Sequence, residues 1–309
     1  MNKLNVLFIT EDFSRYVQRS IVYLCHALAD LVNLTVWHEA GPITDILQQL
    51  RERPDYILLN DLRKEHTPLI DGLANIDIPL GAILHDPHFM KDKRKEFYNL
   101  NHVKHIFTIY RDPFLKWYPE FVDQMHWFPH FAETAIFRDY KLERDIDFML
   151  LGCTVPKYYP LRKSMLEHMR HREGFFHREH PGYRNFTTEE DVELLVDRSY
   201  ALAINRAKIF LSCDSIFHYP LRKYFEVLAC RTLLLAPASQ ELFDLGFVPG
   251  IHFVDVTEQD YEEKADYYLM NEAERRRIAD AGFELIHGRH SVKQRAKQFF
   301  DFIQQSMQE

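Results

Sequence analysis

Residues 204–237 read INRAKIFLSCDSIFHYPLRKYFEVLACRTLLLAP, and this stretch gives the clearest indication of the fold class. Its apolar run Lys208–Cys213 predicts a buried strand, and Thr232–Ala236 predicts a second one. Between them, Pro220 predicts the start of a short helix, because the missing N–H of a proline would have had no partner in the first helical turn. A strand, a turn, a helix and a strand in this order are typical of an α/β unit.

Three charged residues fall in the opening turns of this predicted helix: Arg222, Lys223 and Glu226. Free backbone N–H groups and the helix dipole favour an anion there, and two cations strengthen the site for a dianionic group such as a diphosphate. A carboxylate would repel that ligand unless it faced another part of it, such as a pair of sugar hydroxyls. The pattern therefore indicates a nucleotide, although the same charges also suit the solvated face of an ordinary α/β unit.

Apolar runs alternate with helical stretches along the rest of the chain. The predicted strands are Asn5–Thr10, Leu34–Trp37, Tyr56–Asn60, Leu80–Leu84, His105–Tyr110, Met125–Phe128, Asp147–Gly152 and Ile251–Val256. Apolar strands alternating with helices predict parallel sheets covered on both faces, with ligands at the carboxyl ends of the strands. The turn Thr10–Ser14 after the first strand has no Gly-x-Gly-x-x-Gly pattern, so a dinucleotide cofactor at this edge is not expected.

A second polar turn, His85-Asp86-Pro87-His88, follows the predicted strand Leu80–Leu84. Its place at the carboxyl end of a strand suits a ligand-binding role. The alternative is structural: His85 would be a hydrogen-bonded histidine at a strand end, and Asp86 would cap a helix that begins at Pro87. Both interpretations stay open at this point.

Composition sets broad limits. A chain of 309 residues with 46% hydrophobic residues is long enough for two domains. The net charge of −8 and the absence of a basic stripe argue against nucleic-acid binding. The densest positive run, Lys91–Lys95, predicts the solvated face of a helix, with contact to acidic lipid or to a phosphorylated acceptor as the alternative.

Cysteine usage and hydropathy bear on the compartment. The four cysteines are scattered within apolar segments, which predicts reduced core thiols. The chain starts directly with a predicted strand, without a signal-peptide pattern, and no apolar run is long enough to span a bilayer. We therefore expect a cytoplasmic protein without an integral membrane segment.

One stretch is rich in histidine and is predicted to be a loop. His171, His177 and His180 fall in it, but their spacing matches no standard zinc pattern, so no metal site is predicted. Residues 187–190, Thr-Thr-Glu-Glu, then predict the start of a helix through caps and acidic first-turn residues.

The stretch around residues 204–237 resembles the nucleotide-sugar-binding region of group 1 glycosyltransferases of GT-B fold. The closest branch is the CgeB-like spore-maturation glycosyltransferases, which carry a KI-x-LN, R-x-FE, A-x-G pattern here. The matching residues are Lys208-Ile209-Phe210-Leu211-Ser212, Lys223-Tyr224-Phe225-Glu226, Ala229-Cys230 and Leu233-Leu234-Leu235. The resemblance covers roughly residues 145–300 and continues in the family's order to His290 and Arg295.

The resemblance implies an α/β fold of two Rossmann-like domains that face a cleft. The first domain would comprise residues 1–132 and hold the acceptor, and the second would comprise residues 133–290 and hold the nucleotide sugar. Residues 291–309 would form a C-terminal helix that crosses back to the first domain.

The resemblance also implies roles for particular side chains. Glu226 would bind the ribose, and His85 and Asp86 would match the family's HD turn near the acceptor and the donor sugar. The candidates for contact with the diphosphate are Lys223, Arg222, Arg162 and Lys157.

Three positions depart from the family's pattern. Tyr219 stands where the first of two family glutamates would fall, at the edge of the donor site. Arg231 replaces a glycine, and Lys223 replaces an arginine, which keeps the charge but loses the bidentate fork.

The implied function is transfer of a hexose, with retention of the anomeric configuration, from a nucleoside-diphosphate sugar to a glycan, protein or small-molecule acceptor. A UDP-sugar is the first expectation for the donor, and neither a metal nor another cofactor is required. Two alternatives stay open: a non-catalytic GT-B protein that binds a nucleotide or glycan, and a GT-B sugar-nucleotide epimerase or hydrolase.

Overall fold

The computed structural model describes residues 3–186 and 194–307, and it divides into two compact units. The helix start predicted at residues 187–190 lies outside the described residues. The first unit comprises the chain up to Ser14, Ile21–Pro129 and the chain from Lys293 onward. The second unit comprises Arg15–Ser20 and His130–Val292.

The first unit is built on a six-stranded parallel sheet. Its strands are β1 (Asn5–Ile9), β2 (Asn33–Trp37), β4 (Tyr56–Leu59), β6 (Leu80–Leu84), β7 (His105–Thr108) and β8 (Met125–Trp127), while β3 (Gly41–Pro42) and β5 (Ile70–Asp71) form a separate parallel pair. The strand order in the sheet is β2-β1-β4-β6-β7-β8. The helices are α1 (Ser20–Ala29), α2 (Ile43–Gln49), α3 (Lys91–Leu100), α4 (Arg111–Trp117) and the C-terminal α11 (Val292–Ser306), with short 3-10 turns at Leu73–Asn75 and Pro119–Gln124.

The second unit is built on a four-stranded parallel sheet. Its strands are β9 (Ile146–Leu151), β10 (Phe175–Arg178), β11 (Ala207–Leu211) and β12 (Leu233–Leu235), in the order β10-β9-β11-β12. Its helices are α5 (Pro160–Met169), α6 (Asp197–Asn205), α7 (Lys223–Ala229), α8 (Gln240–Asp244), α9 (Tyr261–Met270) and α10 (Glu272–Arg289). The expected α/β class with parallel sheets is confirmed. None of the helices in the described part of the chain is long and apolar enough to span a membrane.

Strands of both sheets are buried on both faces, as their continuous apolar runs predict. Every residue of the central strand β4 is at most 1% exposed, and the same holds for β12, which ends the sheet of the second unit. Helix α11 packs onto the sheet of the first unit through Phe299 and Ile303, which are buried. The ring of Phe299 lies 4.8 Å from that of Phe107 on β7, so the apolar face of α11 completes the core of this unit.

Two predicted elements in the second unit are wrong. The stretch Phe175–Arg178, expected to be a loop, is the edge strand β10, which pairs with β9 from Phe175↔Phe148 to Arg178↔Leu151. Its two phenylalanines among charged residues are too short an apolar run to stand out, because an edge strand needs cover on only one side. Conversely, Ile251–Val256 is not a strand, because the chain turns through Gly250 (φ +78°) and only Val254 pairs with β12.

Helix α7 begins at Lys223, so the prediction that Pro220 opens it is wrong. The backbone N–H of Tyr224 donates to the carbonyl of Leu221, and the first i to i+4 bond runs from Glu226 to the carbonyl of Arg222. The chain before Pro220 carries a positive φ of 57° at His218, so the turn that leads to the helix is not itself helical.

Arg231 adopts the left-handed conformation, with a φ of 56°, just after the end of α7. This is the position at which helices favour glycine, as the family pattern does. The Arg231 side chain is held by the carboxylates of Asp139 and Asp280, at 3.5 and 3.4 Å, and by the ring of Phe283, 4.3 Å away. These contacts offset the backbone strain that an arginine brings to the position.

A buried ion pair stabilises the strand ends of the first unit. Both nitrogen–oxygen contacts between Arg94 Nη2 and the Asp61 carboxylate measure 2.7 Å, and both residues are at most 1% exposed. Arg94 Nη1 also donates to the backbone carbonyls of Asp86 and Phe89. Arg94 belongs to the basic run Lys91–Lys95, so that run is not wholly the solvated helix face that its sequence predicts.

We expect Arg94→Met to lower the free energy of unfolding by about 3–5 kcal/mol, because it leaves the Asp61 carboxylate buried without its main partner. The control is Lys95→Met, which removes a partly exposed pair with Glu120 and should cost about 1 kcal/mol or less. Urea denaturation followed by circular dichroism measures both. Equal losses in the two variants would contradict a structural role for Arg94.

Candidate functional site

The backbone at the end of β9 lies against a lysine from α7. Gly152 has a φ of +116°, and a Cβ built on it would lie 2.9 Å from Lys223 Nζ and 3.5 Å from Arg162 Nη1. A side chain here would push the Lys223 ammonium aside, and the positive φ itself favours glycine, so with Gly152 the ammonium and the guanidinium approach the strand end side by side. Burial first, and then the charge of Arg162, lower the pKa of Lys223 to about 8.

Arg162 is held rigidly between the ends of two neighbouring strands. It is only 2% exposed, and its guanidinium donates to the carbonyl of Cys153 at 2.8 Å and to the carbonyl of Cys213 at 3.3 Å. Its guanidinium carbon lies 4.5 Å from the centre of the Tyr159 ring. Arg162 Nε is buried and has no hydrogen-bond partner among the described residues.

Arg222 and Glu226 lie one turn apart on the same side of α7. Arg222 Nε is 4.0 Å from Glu226 Oε1, and the Glu226 side chain is 12% exposed. Burial raises the pKa of Glu226, although the charges of Arg222 and Lys223 oppose this. The structure therefore brings together Arg162, Lys223, Arg222 and Glu226, which we call the cation cluster with its carboxylate.

Sequence reasoning missed Gln18, which contacts this cluster. In the amide orientation that satisfies both of its polar groups, the oxygen of Gln18 accepts from Arg222 Nη1 at 2.6 Å and from Nη2 at 3.0 Å. Gln18 belongs to the segment Arg15–Ser20 of the second unit, which pairs with Arg184–Phe186 through backbone hydrogen bonds. No local pattern in the sequence could have predicted this contact, because it joins distant parts of the chain.

Tyr200 of α6 is a second residue that the sequence did not single out. Its hydroxyl is buried and lacks a hydrogen-bond partner in the part of the chain that the structure describes. Burial and the negative charge of Glu226 raise the pKa of this phenol well above its ordinary value. Tyr200 therefore adds a polar atom in need of a partner beside the carboxylate.

Two other expected residues occupy different surroundings. Lys157 is exposed, and its ammonium lies 5.4 Å from the centre of the Tyr158 ring. Tyr219 is 3% exposed and stacks on Phe217 with ring centres 5.3 Å apart. A buried phenol cannot supply the charge of the glutamate that the family carries at this point.

His180 follows β10 and feels the charge of the cation cluster. Burial first, and then the charges of Lys223 and Arg222, lower its pKa to about 4. A neutral imidazole therefore lies beside the cations over the physiological pH range. Within residues 3–186 and 194–307, no group of three or more His, Cys, Asp or Glu side chains is arranged to hold a metal ion.

His85 and Asp86 lie at the carboxyl end of β6 in the first unit. His85 Nε2 lies 2.8 Å from Asn60 Oδ1, and Asp86 Oδ2 accepts from Arg63 Nη2 at 2.8 Å. Asp86 does not cap a helix, because α3 begins only at Lys91. The sequence analysis did not single out Asn60 and Arg63. Both follow the end of β4, and ligands of parallel sheets bind at the carboxyl ends of the strands.

Comparison with known protein families gives a match to the part of the chain that contains the cation cluster with its carboxylate. Residues 162–301 match the family model described as glycosyl transferase-like. No curated protein matches the sequence.

Solved structures share the fold over the whole chain. Sucrose-phosphate synthase from Thermosynechococcus elongatus is 13% identical with a TM-score of 0.69, and the match covers 99% of each chain. HepE from Anabaena, in complex with UDP-glucose, is 10% identical with a TM-score of 0.67, covering 98% of this chain and 100% of that one. A putative UDP-N-acetylglucosamine 2-epimerase from Listeria monocytogenes is 11% identical with a TM-score of 0.56, covering 99% and 97%. The chain therefore has the GT-B fold, and residues 162–301 carry a glycosyl transferase-like domain.

We expect Gly152→Ala to displace Lys223 and to lower the free energy of unfolding by about 1–3 kcal/mol, since it adds backbone strain and a clash with the ammonium. Gly182→Ala is the matched control, because Gly182 also has a positive φ, of 88°, but an added Cβ meets nothing within 4 Å. NMR titration of labelled lysine should show the pKa of Lys223 rising only in Gly152→Ala. An unchanged Lys223 titration in that variant would refute the packing described here.

Proposed function

We propose that the chain is a glycosyltransferase that moves a sugar from a nucleoside-diphosphate sugar, with a UDP-hexose as the first donor to test. The observation that carries this proposal is the cation cluster with its carboxylate, which lies in the domain that matches the glycosyl transferase-like model. The acceptor would be a glycan, a protein or a small molecule.

The electrostatics of the cluster favour a bound dianion. Lys223 has neither a hydrogen bond nor an ion pair with any described residue, and two guanidinium groups lie near it. An ammonium in such surroundings is destabilised, as its lowered pKa records, until an anion compensates the charge. The diphosphate of a nucleotide sugar supplies such an anion, and the charge it gains on departure is the charge that transfer must stabilise.

Glu226 supports the nucleoside part of the proposal. Its carboxylate accepts no hydrogen bond from any described side chain, and Arg222 approaches it only to 4.0 Å. A ribose offers two adjacent hydroxyls, each of which can donate to a carboxylate oxygen. Glu226 would therefore bind the ribose while Lys223, Arg162 and Arg222 bind the diphosphate.

The choice of uridine as the base rests on one structural comparison. HepE, which shares the fold, has been solved with UDP-glucose, and this makes UDP-glucose the first donor to test. The CgeB-like branch, a retaining outcome and transfer without a metal are part of the same proposal and rest on the residue pattern around Lys223 and Glu226. His85 and Asp86 would contact the transferred sugar or the acceptor hydroxyl.

UDP should raise the melting temperature of the wild type, because a ligand at one hundred times its dissociation constant stabilises by about 2.7 kcal/mol. Lys223→Met should weaken UDP binding at least about tenfold through the loss of a charge-assisted contact. Lys141→Met, an exposed lysine of the same unit, should bind like the wild type. Differential scanning fluorimetry with UDP and UDP-glucose measures all three proteins. UDP binding that is equal in both variants would overturn the proposed site.

The affinity for UDP should fall as the pH rises through about 8, because Lys223 must hold its proton to bind the diphosphate. The dissociation constant should stay level below this pKa and rise up to about tenfold per pH unit above it. Lys223→Arg keeps its charge at all these pH values and should bind UDP without the inflection. Isothermal titration calorimetry between pH ~7 and ~9.5 makes the measurement. An inflection that persists in Lys223→Arg would assign it to another group.

Product analysis distinguishes a glycosyltransferase from an epimerase or hydrolase, the alternative suggested by the structural similarity to a putative UDP-N-acetylglucosamine 2-epimerase. An epimerase or hydrolase consumes UDP-sugar with no acceptor present, whereas a transferase needs one for full turnover.

A further inference from the structure

Three polar side chains at the carboxyl ends of β1, β4 and β6 form a hydrogen-bonded chain. Asn60 Nδ2 donates to Thr10 Oγ1 at 2.9 Å, and Asn60 Oδ1 lies 2.8 Å from His85 Nε2. Thr10 is 1% exposed and Asn60 is fully buried. The imidazole at this strand end is thus tied to an amide that solvent does not reach.

The donors and acceptors in this row of hydrogen bonds can be assigned in only one way. Thr10 Oγ1 lies 3.1 Å from the carbonyl oxygen of Glu11 and 3.3 Å from that of His66. Carbonyl oxygens only accept, so the single hydroxyl proton of Thr10 points to them and Oγ1 accepts from the Asn60 amide nitrogen. The amide oxygen of Asn60 therefore faces His85, and Nε2 of His85 must carry the proton.

We propose that Asn60 is a positioning residue for His85, whose ring it holds with the proton on Nε2. This inference rests on the proposed role of His85 in sugar transfer. In this tautomer Nδ1 is the accepting nitrogen, so a group that meets it must donate, as a sugar hydroxyl does. An amide oxygen carries no full negative charge, so it fixes the ring while stabilising the imidazolium less than a carboxylate in the same place would.

The other charges near His85 are paired with one another. Asp86 accepts from Arg63, Arg63 Nε lies 3.6 Å from Asp61, and Asp61 pairs with Arg94. The ring of His66 meets that of His85 edge-on, with centres 4.9 Å apart. Among the described residues, the titratable and charged side chains around His85 and Asp86 include Asp61, Arg63, His66, His88 and Arg94. A variant at position 60 changes the hydrogen bond at Nε2 directly, whereas these ion pairs do not involve Asn60.

The test is a pH series of long-range 1H–15N NMR spectra on protein labelled with 15N at histidine. The His85 signal is assigned as the one that disappears in the variant His85→Gln. The wild type should show the Nε2–H tautomer. Asn60→Asp should raise the titration midpoint of His85 by at least about one pH unit, because a carboxylate favours the imidazolium. An Nδ1–H tautomer in the wild type, or an unchanged midpoint in Asn60→Asp, overturns the proposal.

A second pair of variants keeps the test decisive if Asn60→Asp does not fold. Thr10→Val removes the hydroxyl that orients the amide and should give a mixture of His85 tautomers, whereas Thr10→Ser keeps the hydroxyl and the single tautomer. A single Nε2–H tautomer in Thr10→Val would contradict the chain of hydrogen bonds.

Consumption of UDP-glucose separates this inference from the proposed function. If the wild type consumes it, the pH midpoint of the rate should shift in Asn60→Asp by the same amount as the NMR midpoint. If the wild type neither binds nor consumes it at any pH while the NMR result holds, the donor assignment fails and the positioning of His85 stands. A rate midpoint that does not follow the NMR midpoint would contradict a role for Asn60 in the reaction.

Discussion

Arg162 ties together the carboxyl ends of two neighbouring parallel strands, and the candidate donor site depends on this interaction. Its guanidinium donates to carbonyls that follow β9 and β11, so the two strand ends and the arginine form one rigid support. Lys223 then packs against the glycine that follows β9, with room only because Gly152 lacks a side chain. A charged side chain held in this way loses little conformational freedom when a ligand binds, which favours tight and oriented binding.

The two units place polar groups at their strand ends by different means. In the second unit, Arg162, Lys223 and Arg222 gather beside Glu226, and among the described residues neither Arg162 nor Lys223 has an ion pair. This arrangement favours an anionic ligand. In the first unit, the charges at the strand ends are paired with one another, as Asp61 is with Arg94. A hydrogen bond to the Asn60 amide orients His85 there. Under the proposed function, the second unit would hold the diphosphate of the donor, and His85 of the first unit would contact a hydroxyl of the sugar or the acceptor.

Much of the fold could be predicted from the sequence, because buried parallel strands are continuous apolar runs and these have few alternatives. The placement of Lys223 and Glu226 on neighbouring turns of one helix was predictable too, because it follows from their spacing. Gln18 and Tyr200 could not be predicted, because their roles come from contacts between residues far apart in the chain, which no local pattern encodes. Asn60 was missed although it directly follows β4, and residues at the carboxyl end of a parallel strand are candidates for ligand binding. The edge strand β10 was missed because exposure on one side lets charged residues interrupt its apolar pattern.

A crystal structure of the protein with UDP would show whether the cation cluster with its carboxylate binds the nucleotide. We expect the diphosphate oxygens within hydrogen-bond distance of Lys223 Nζ and near Arg162, and the ribose hydroxyls donating to the Glu226 carboxylate. UDP bound with its diphosphate away from Lys223, or with its ribose away from Glu226, would refute the proposed donor site.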